Sequence, residues 1–117
     1  MADDRQRRGD SADLRRLRRR IDALDRRLVA LLNERAELAR EAGRAKTAAG
    51  RKAIRDADRE REVLLRVTIA NDGPMPQADL LAMYRRLFAA TRALETRDRD
   101  RERQRARARE DRGDEPT

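Results

Sequence analysis

Polar side chains interrupt three apolar helical stripes at positions where hydrophobic residues are expected. Since buried ionic groups without partners are costly, we expect such residues to face one another or a polar ligand. Cations, carboxylates and a hydroxyl together suit a small ligand that carries negative charges and hydroxyl groups. The interrupting residues are Arg35 and Lys46, Asp56 and Glu60, and Thr91 and Glu95.

The cations of the first stripe point in two directions. At about 100° per residue, Arg35 and Lys46 are about three turns apart and lie within about 20° of each other. Arg18 points about 100° away from Arg35, which places it on a different surface. A single inward arginine is more often a snorkelling side chain, so the coincidence of polar positions on three segments carries the hypothesis of a site.

The other polar residues form two pairs with helical spacing. Asp56 and Glu60 are four residues apart and lead into an apolar run. Thr91 and Glu95 repeat this spacing, which places both members of a pair on one helix face. Taken alone, the first pair fits surface charge patterning. Thr91 alone fits a hydroxyl bonded to the preceding turn, and Glu95 a solvated helix end.

A long apolar series predicts the first helix. Leucine, isoleucine and alanine recur at three- and four-residue spacing from Leu14 to Ala42 without proline or glycine, and Asp13 is the expected N-cap. The helix is expected to reach about Lys46, a length of about 50 Å. A globule of this chain length has a radius of gyration of only about 13 Å, so we expect the helix to be covered by a second copy in a homodimer.

Two shorter helices are predicted after the first. A loop around Gly50 precedes a second helix from about residue 54 to residue 70, and the breaker NDGPMP stops it. A third helix begins near Gln77, and beyond Thr96 the charged sequence either extends it or frays. No strand-like alternation occurs, so the predicted class is all-α. We expect residues 1–12 to be disordered, residues 13–96 to form the domain and residues 97–117 to be a charged tail.

Composition excludes several classes of function. The 117 residues include no Cys and no His, so neither disulfides nor the usual transition-metal sites are expected, and no cofactor is implied. No apolar run is long enough to cross a membrane, and the N-terminus lacks the pattern of a secretory signal, which predicts a cytoplasmic protein. The net charge of +8 suggests nucleic-acid binding, but aromatics make up only 2% and residues 97–117 carry mixed signs.

The polar residues and their spacing resemble those of a known family. The segments LRRLRRRIDALDRRLVALLNERAELAREAGRAK and IRDADREREVL resemble the all-helical AroQ-type chorismate mutases, from about Leu14 to Glu95. The breaker and the segment YRRLFAATRALE look most like the variants attached to the first synthase of the shikimate pathway. The resemblance implies a chorismate mutase II-like fold, an intertwined homodimer of three-helix chains, and conversion of chorismate to prephenate without metal or cofactor.

The resemblance also implies roles for the cations. Arg35 would bind a substrate carboxylate within its own subunit, and Arg18 would reach into the partner's pocket. Lys46 would contact the ether oxygen and a carboxylate of chorismate. Losing one preorganised donor of this kind typically costs about a hundredfold in rate.

For the remaining site residues the resemblance implies contacts to other parts of chorismate. Glu60, helped by Asp56, would hold the ring hydroxyl, and Thr91 would lie near the ring carboxylate. Glu95 stands where many members have Gln, opposite the ether oxygen. It can donate a hydrogen bond only when protonated, so we expect burial to raise its pKa and activity to favour acidic pH.

Three alternatives stay open at this stage. An isochorismate pyruvate lyase of the same fold would use a similar site, although the RDxxRE run favours the mutase. A basic helical dimer that binds nucleic acid would not need inward carboxylates, which repel phosphate. A weak mutase could also gain activity by docking to another shikimate-pathway enzyme, although the charged tail is better interpreted as a solvated extension.

Overall fold

The helices of the described residues form an all-α chain of one long helix followed by two more. The computed structural model describes residue 9, residues 11–51 and residues 54–113, and the described residues contain no β-strand. Helix α1 spans Ala12–Ala48, α2 spans Ala57–Ala70 and α3 spans Gln77–Asp111. The all-α class and the order of a long helix, a medium helix, a breaker and a further helix are as predicted. Most of the segment expected to be disordered lies outside the described residues.

Helix α1 is capped earlier in the chain than the sequence suggested. The Ser11 Oγ accepts a hydrogen bond from the Leu14 N–H at 3.1 Å, so Ser11 caps the helix and the prediction of Asp13 as N-cap is wrong. Asp13 lies in the first turn, where its negative charge is favourable at the positive end of the helix dipole.

The end of α1 is fixed by a glycine. Gly50 has a φ of +81°, which a residue with a Cβ rarely adopts. Its N–H donates to the Thr47 carbonyl at 3.0 Å, and the Arg51 N–H donates to the Lys46 carbonyl at 2.9 Å. This pair of hydrogen bonds is a Schellman motif, which satisfies the last carbonyls of the helix and turns the chain toward α2.

The breaker between α2 and α3 is stabilised by one side chain. The Asn71 Oδ1 accepts from the Gly73 N–H at 3.0 Å, and the Asn71 Nδ2 donates to the Met75 carbonyl at 3.1 Å. The Asn-Gly-Pro chemistry of the sequence therefore supplies its own hydrogen bonds in place of a helix. Helix α3 begins at Gln77 as predicted and continues through the charged sequence to Asp111.

The chain divides into two compact units, Met1–Glu37 and Leu38–Thr117. In the second unit the buried residues of the described chain are Gly43, Phe88 and Thr91. Tyr84 packs its ring edge-on against Phe88, with ring centroids 6.3 Å apart. Ile69 of α2, by contrast, is 73% exposed.

A charged pair joins the last turns of α1 to α3. The Arg40 guanidinium donates from Nε and Nη2 to the two carboxylate oxygens of Asp98, at 2.9 and 3.0 Å. This hydrogen bonding lowers the pKa of Asp98, because it stabilises the ionised carboxylate. The bidentate geometry fixes the position of α3 where it passes the C-terminal end of α1.

Candidate active site

Lys46 and Glu95 face each other where α1 ends beside α3. The Lys46 Nζ lies 4.0 Å from Glu95 Oε2, and the exposed fractions of the two side chains are 19% and 11%. The Lys46 Nζ also donates to the Ile54 carbonyl at 3.4 Å. The sequence predicted that these two residues belong to one site, and the structure brings them together.

The Glu95 carboxyl lies against the only buried residue of α1, Gly43. A Cβ built at Gly43 would be 3.1 Å from both Cγ and Cδ of Glu95, so a glycine leaves the room that this carboxyl occupies. Among the described residues none donates a hydrogen bond to Glu95 Oε2, although the atom is buried. An oxygen in this situation is available to a ligand.

Burial raises the pKa of Glu95. Desolvation is the largest cause, and the nearby charges of Lys46, Arg99 and Arg92 partly oppose it, while Asp98 reinforces it. The direction is the one expected for a carboxylate removed from water. A protonated Glu95 can donate a hydrogen bond, which an ionised carboxylate cannot do.

Asp56 has a structural function that the sequence analysis missed. It is the N-cap of α2, with its Oδ1 accepting from the Arg59 N–H at 3.0 Å, and the helix begins only at Ala57. The expectation that Asp56 lies within the helix one turn before Glu60 is therefore wrong. The Arg59 hydrogen bond lowers the pKa of Asp56, and the charges of Arg51 and Lys46 add to the effect.

Glu60 is engaged by two arginines. Arg92 of α3 donates from Nη1 to Glu60 Oε2 at 2.6 Å, and the Arg55 Nε lies 3.6 Å from Oε1. Arg92 was not among the predicted site residues. A signal was present in the sequence, since Arg92 precedes Glu95 by three residues and shares its helix face.

Thr91 of α3 is buried, and its hydroxyl is directed toward carbonyl groups of its own helix. The hydroxyl lies 3.2 Å from the Leu87 carbonyl and 3.0 Å from the Phe88 carbonyl, and it has one proton to donate to them. Its oxygen lone pairs remain able to accept a hydrogen bond. Binding of a ligand carboxylate by Thr91, as predicted, requires this hydroxyl to rotate away from the helix.

Arg18 and Arg35 belong to the N-terminal unit. Both lie on α1, where Arg18 is exposed and Arg35 is half-buried. Their predicted contacts with a substrate, including the contribution of Arg18 to a partner's pocket, stay predictions.

A basic cleft adjoins Glu95 on the side of the charged end of α3. We call Lys46, Glu60, Thr91 and Glu95 the ionic cluster. The cleft has a volume of about 930 Å³, and Glu95 and the adjacent Gly43 line it, whereas Lys46 and Glu60 do not. Seven arginines of α1, α3 and the α1–α2 loop contribute to its walls. Anionic groups are therefore favoured beside Glu95.

The described residues hold no cluster of carboxylates, histidines and cysteines arranged for a metal ion. Their helices also include none that is long and apolar enough to cross a membrane. The chemical resources of the cluster are a lysine, a carboxyl with a raised pKa, an anchored carboxylate and a hydroxyl. Together these can hold a polyanion and stabilise charge on an oxygen.

Comparisons with known proteins agree with the class that the fold and this cluster define. The family model of chorismate mutase type II matches residues 17–96. The chain therefore belongs to the chorismate mutase type II family. This all-helical AroQ fold is the one that the sequence resembles.

Individual relatives support the same assignment. Over 90 residues the chain is 36% identical to a bifunctional chorismate mutase/prephenate dehydratase of Stutzerimonas stutzeri, covering 74% of this chain and 25% of the relative. A bifunctional relative from Aquifex aeolicus is 37% identical over 87 residues, covering 71% and 24%. The chain thus spans about a quarter of the length of these bifunctional relatives.

A solved structure matches over nearly its whole length. The chorismate mutase (form II) of Thermus thermophilus superimposes with a TM-score of 0.68 and 34% identity. The match covers 73% of this chain and 96% of that one.

Proposed function

We propose that the protein is a chorismate mutase, which converts chorismate to prephenate for the biosynthesis of phenylalanine and tyrosine in the cytoplasm. The single observation that carries the proposal is the placement of Lys46 opposite the buried Glu95. In this arrangement two hydrogen-bond donors, an ammonium and a protonated carboxyl, can both approach one ether oxygen.

The reaction is intramolecular and pericyclic. The ether C–O bond breaks while a C–C bond forms, and no proton or electron pair leaves the substrate. The protein therefore needs no nucleophile. It must bind the compact conformer in which the reacting carbons are close together, which lowers the entropic part of the barrier. It must also stabilise negative charge on the ether oxygen as the C–O bond lengthens, which Lys46 and protonated Glu95 would do.

The remaining residues would bind and orient the substrate. Glu60, with Asp56 beside Lys46, would accept a hydrogen bond from the ring hydroxyl. Arg35 would pair with one carboxylate, and Thr91 would lie near the ring carboxylate. The arginines around Glu95 add positive potential, which favours a dianion.

A homodimer is part of the proposal. The apolar stripe of α1 in the N-terminal unit is exposed from Leu14 through Leu32, with Ile21, Leu24 and Leu28 each at least half exposed. A continuous leucine stripe of this length in water favours association with an equally apolar surface. In the dimer, Arg18 would complete the site of the partner subunit.

The test is an assay of chorismate consumption and prephenate formation by the purified protein. We expect turnover, and we expect Lys46→Ala to lower kcat/KM about a hundredfold. Arg66→Ala is a matched control, because it removes an exposed cation of α2 that pairs with Glu62 outside the cluster. Equal losses in both variants would count against a specific role of Lys46.

The same assay separates the alternatives. Release of pyruvate from isochorismate, without conversion of chorismate, would identify a lyase of this fold. A low rate that rises when another shikimate-pathway enzyme is added would indicate that the protein works while docked to a partner.

A further inference from the structure

Glu60 is held by an arginine from a different helix. Arg92 of α3 donates to Glu60 of α2 at 2.6 Å, and the exposed fractions of the two side chains are 30% and 18%. By contrast, the Arg66–Glu62 pair joins successive turns of α2 and is exposed on both sides. A half-buried pair across two helices restricts the carboxylate far more than an exposed pair within one helix does.

Arg92 occupies only one of the two carboxylate oxygens. Glu60 Oε1 faces the Arg55 Nε at 3.6 Å, which is too long for a hydrogen bond. An ionised carboxylate offers about four lone-pair positions, so Oε1 can still accept from a ligand. Glu60 is thus anchored by a hydrogen bond at one oxygen, while the other makes only a longer ion pair with Arg55.

This geometry suits recognition of a hydroxyl group. A glutamate that is free to rotate must lose side-chain entropy when it binds, whereas an anchored one has already lost it. With Oε2 accepting from Arg92, the carboxylate meets a ligand as a hydrogen-bond acceptor. Such a group selects a ligand that presents an O–H.

We propose that Arg92 is a positioning residue for substrate recognition. It holds the Glu60 carboxylate in the orientation that accepts a hydrogen bond from the ring hydroxyl of chorismate. This inference rests on the proposed function, and it assigns to α3 a role in specificity beyond that of Thr91 and Glu95. Arg92 itself need not touch the substrate.

The test compares two substrates in Arg92→Met, which keeps a long apolar stem and removes the charge and donors. The substrates are chorismate and an analogue that lacks the ring hydroxyl. For chorismate we expect kcat/KM to fall about tenfold or more, mainly through KM. For the analogue we expect kcat/KM to match that of the wild type, because the contact that Arg92 supports is absent. Compared with Arg92→Met, Arg92→Lys should restore part of the preference for chorismate over the analogue, since it keeps a charged donor.

The controls separate positioning from simple fastening of α2 to α3. Glu60→Gln should lose the same preference, and the double variant Arg92→Met/Glu60→Gln should lose little more than Glu60→Gln alone, because the two residues act as a unit. Arg66→Met should leave both kcat/KM values unchanged. If Arg92→Met does not fold, Arg92→Lys is assayed with both substrates. A reduced preference for chorismate over the analogue would support the inference, and a fully retained preference would contradict it.

The outcomes are distinguishable. Equal losses for both substrates, or a lower Tm with unchanged kcat/KM, would show that the Arg92–Glu60 pair only stabilises the packing of α2 against α3. Either result would overturn the inference while leaving the mutase activity in place. A wild-type protein that turns over neither substrate would overturn the proposed function and this inference with it.

Discussion

The two units of the chain differ in which of their residues are buried. From Ala12 to Glu37 no residue is buried, and the leucines of α1 lie open to solvent. In the unit from Leu38 to Thr117, Gly43, Phe88 and Thr91 are buried and charged groups pair across helices. In the second unit side chains pair within the chain, whereas the first unit carries an exposed apolar surface that we propose is covered by a second copy. The ionic cluster is therefore built on the part of the chain that packs against itself.

The largest expected effect comes from breaking the apolar surface of the first unit. Leu24→Asp places a charge in a stripe whose burial we attribute to a second copy, and Leu24 is 57% exposed within the chain. We expect loss of the dimer, loss of most helical circular dichroism and no measurable turnover, because burying an unpaired charge is costly. Sedimentation and circular dichroism measure the first two.

Leu65→Asp provides the matched control in the second unit. Leu65 is exposed to a similar degree, at 61%, but it lies on α2 and is not part of the stripe. We expect this variant to stay dimeric and active. A monomeric, folded and active Leu24→Asp protein would refute the contrast between the two units.

A smaller effect is expected where α1 and α3 meet in the second unit. Gly43→Ala adds a Cβ at 3.1 Å from the Glu95 side chain, which must move by a few tenths of an ångström. We expect kcat to fall about tenfold, because displacement of a catalytic group is costly. Stability should not fall in parallel, since alanine favours a helix over glycine by about 1 kcal/mol. A Tm that rises or stays constant while kcat falls would show that Gly43 serves to position Glu95 rather than to stabilise the fold. An unchanged kcat would contradict this role.

The pH dependence of the rate tests the charge state of Glu95. Because burial raises its pKa, the carboxyl stays protonated above the usual range of carboxyl groups, and it loses its proton as the pH rises through the raised pKa. We expect kcat to decrease over that interval and Glu95→Gln to remove the decrease, since an amide donates at every pH.

The stability of the protein should follow the same sign. A carboxyl whose pKa is raised by folding contributes its stability at low pH and loses it as the pH rises through the raised value. Glu95→Gln should therefore weaken the fall in Tm over the pH interval in which Glu95 loses its proton. A profile of kcat that is unaltered by Glu95→Gln would remove Glu95 from the mechanism.

The sequence predicted the helices and part of the site, for identifiable physical reasons. Apolar periodicity and the Asn-Asp-Gly-Pro breaker are local signals, so they located α1, α2 and α3 well. The juxtaposition of Lys46 and Glu95 also followed from inward positions on two stripes. What the sequence did not predict was the local hydrogen-bond partner of one carboxylate. The capping hydrogen bond from the Arg59 N–H to Asp56 was missed because it depends on where the helix begins, while the binding role of Asp56 stays a prediction.

The pairings between helices were not predictable from periodicity alone. Arg40 with Asp98 and Arg92 with Glu60 depend on how the helices cross, and a chain that is 46% charged offers many alternative partners. The resemblance could not supply them either, since it concerned the residues expected to touch substrate. Side-chain pairing across helices is where the structure adds most to the sequence.

The smallest expected effect concerns the start of α1 in the first unit. Ser11 caps the helix through its hydroxyl, whereas Asp13 lies in the first turn and forms an exposed pair with Arg16. We expect Ser11→Ala to lower the free energy of unfolding by about 1 kcal/mol per chain, because the Leu14 N–H loses its acceptor. Asp13→Ala should cost less, since charge near a helix end and exposed ion pairs each contribute about 0.3–1 kcal/mol or below.

Chemical denaturation of the two variants, at one protein concentration, measures this difference. Raising the salt concentration should shrink the effect of Asp13→Ala and leave that of Ser11→Ala in place, because only the former depends on screened charges. Neither substitution should change kcat/KM, since neither residue belongs to the ionic cluster of the second unit. A larger cost for Asp13→Ala would mean that the aspartate caps α1 and that the helix begins where the sequence, rather than the structure, places it.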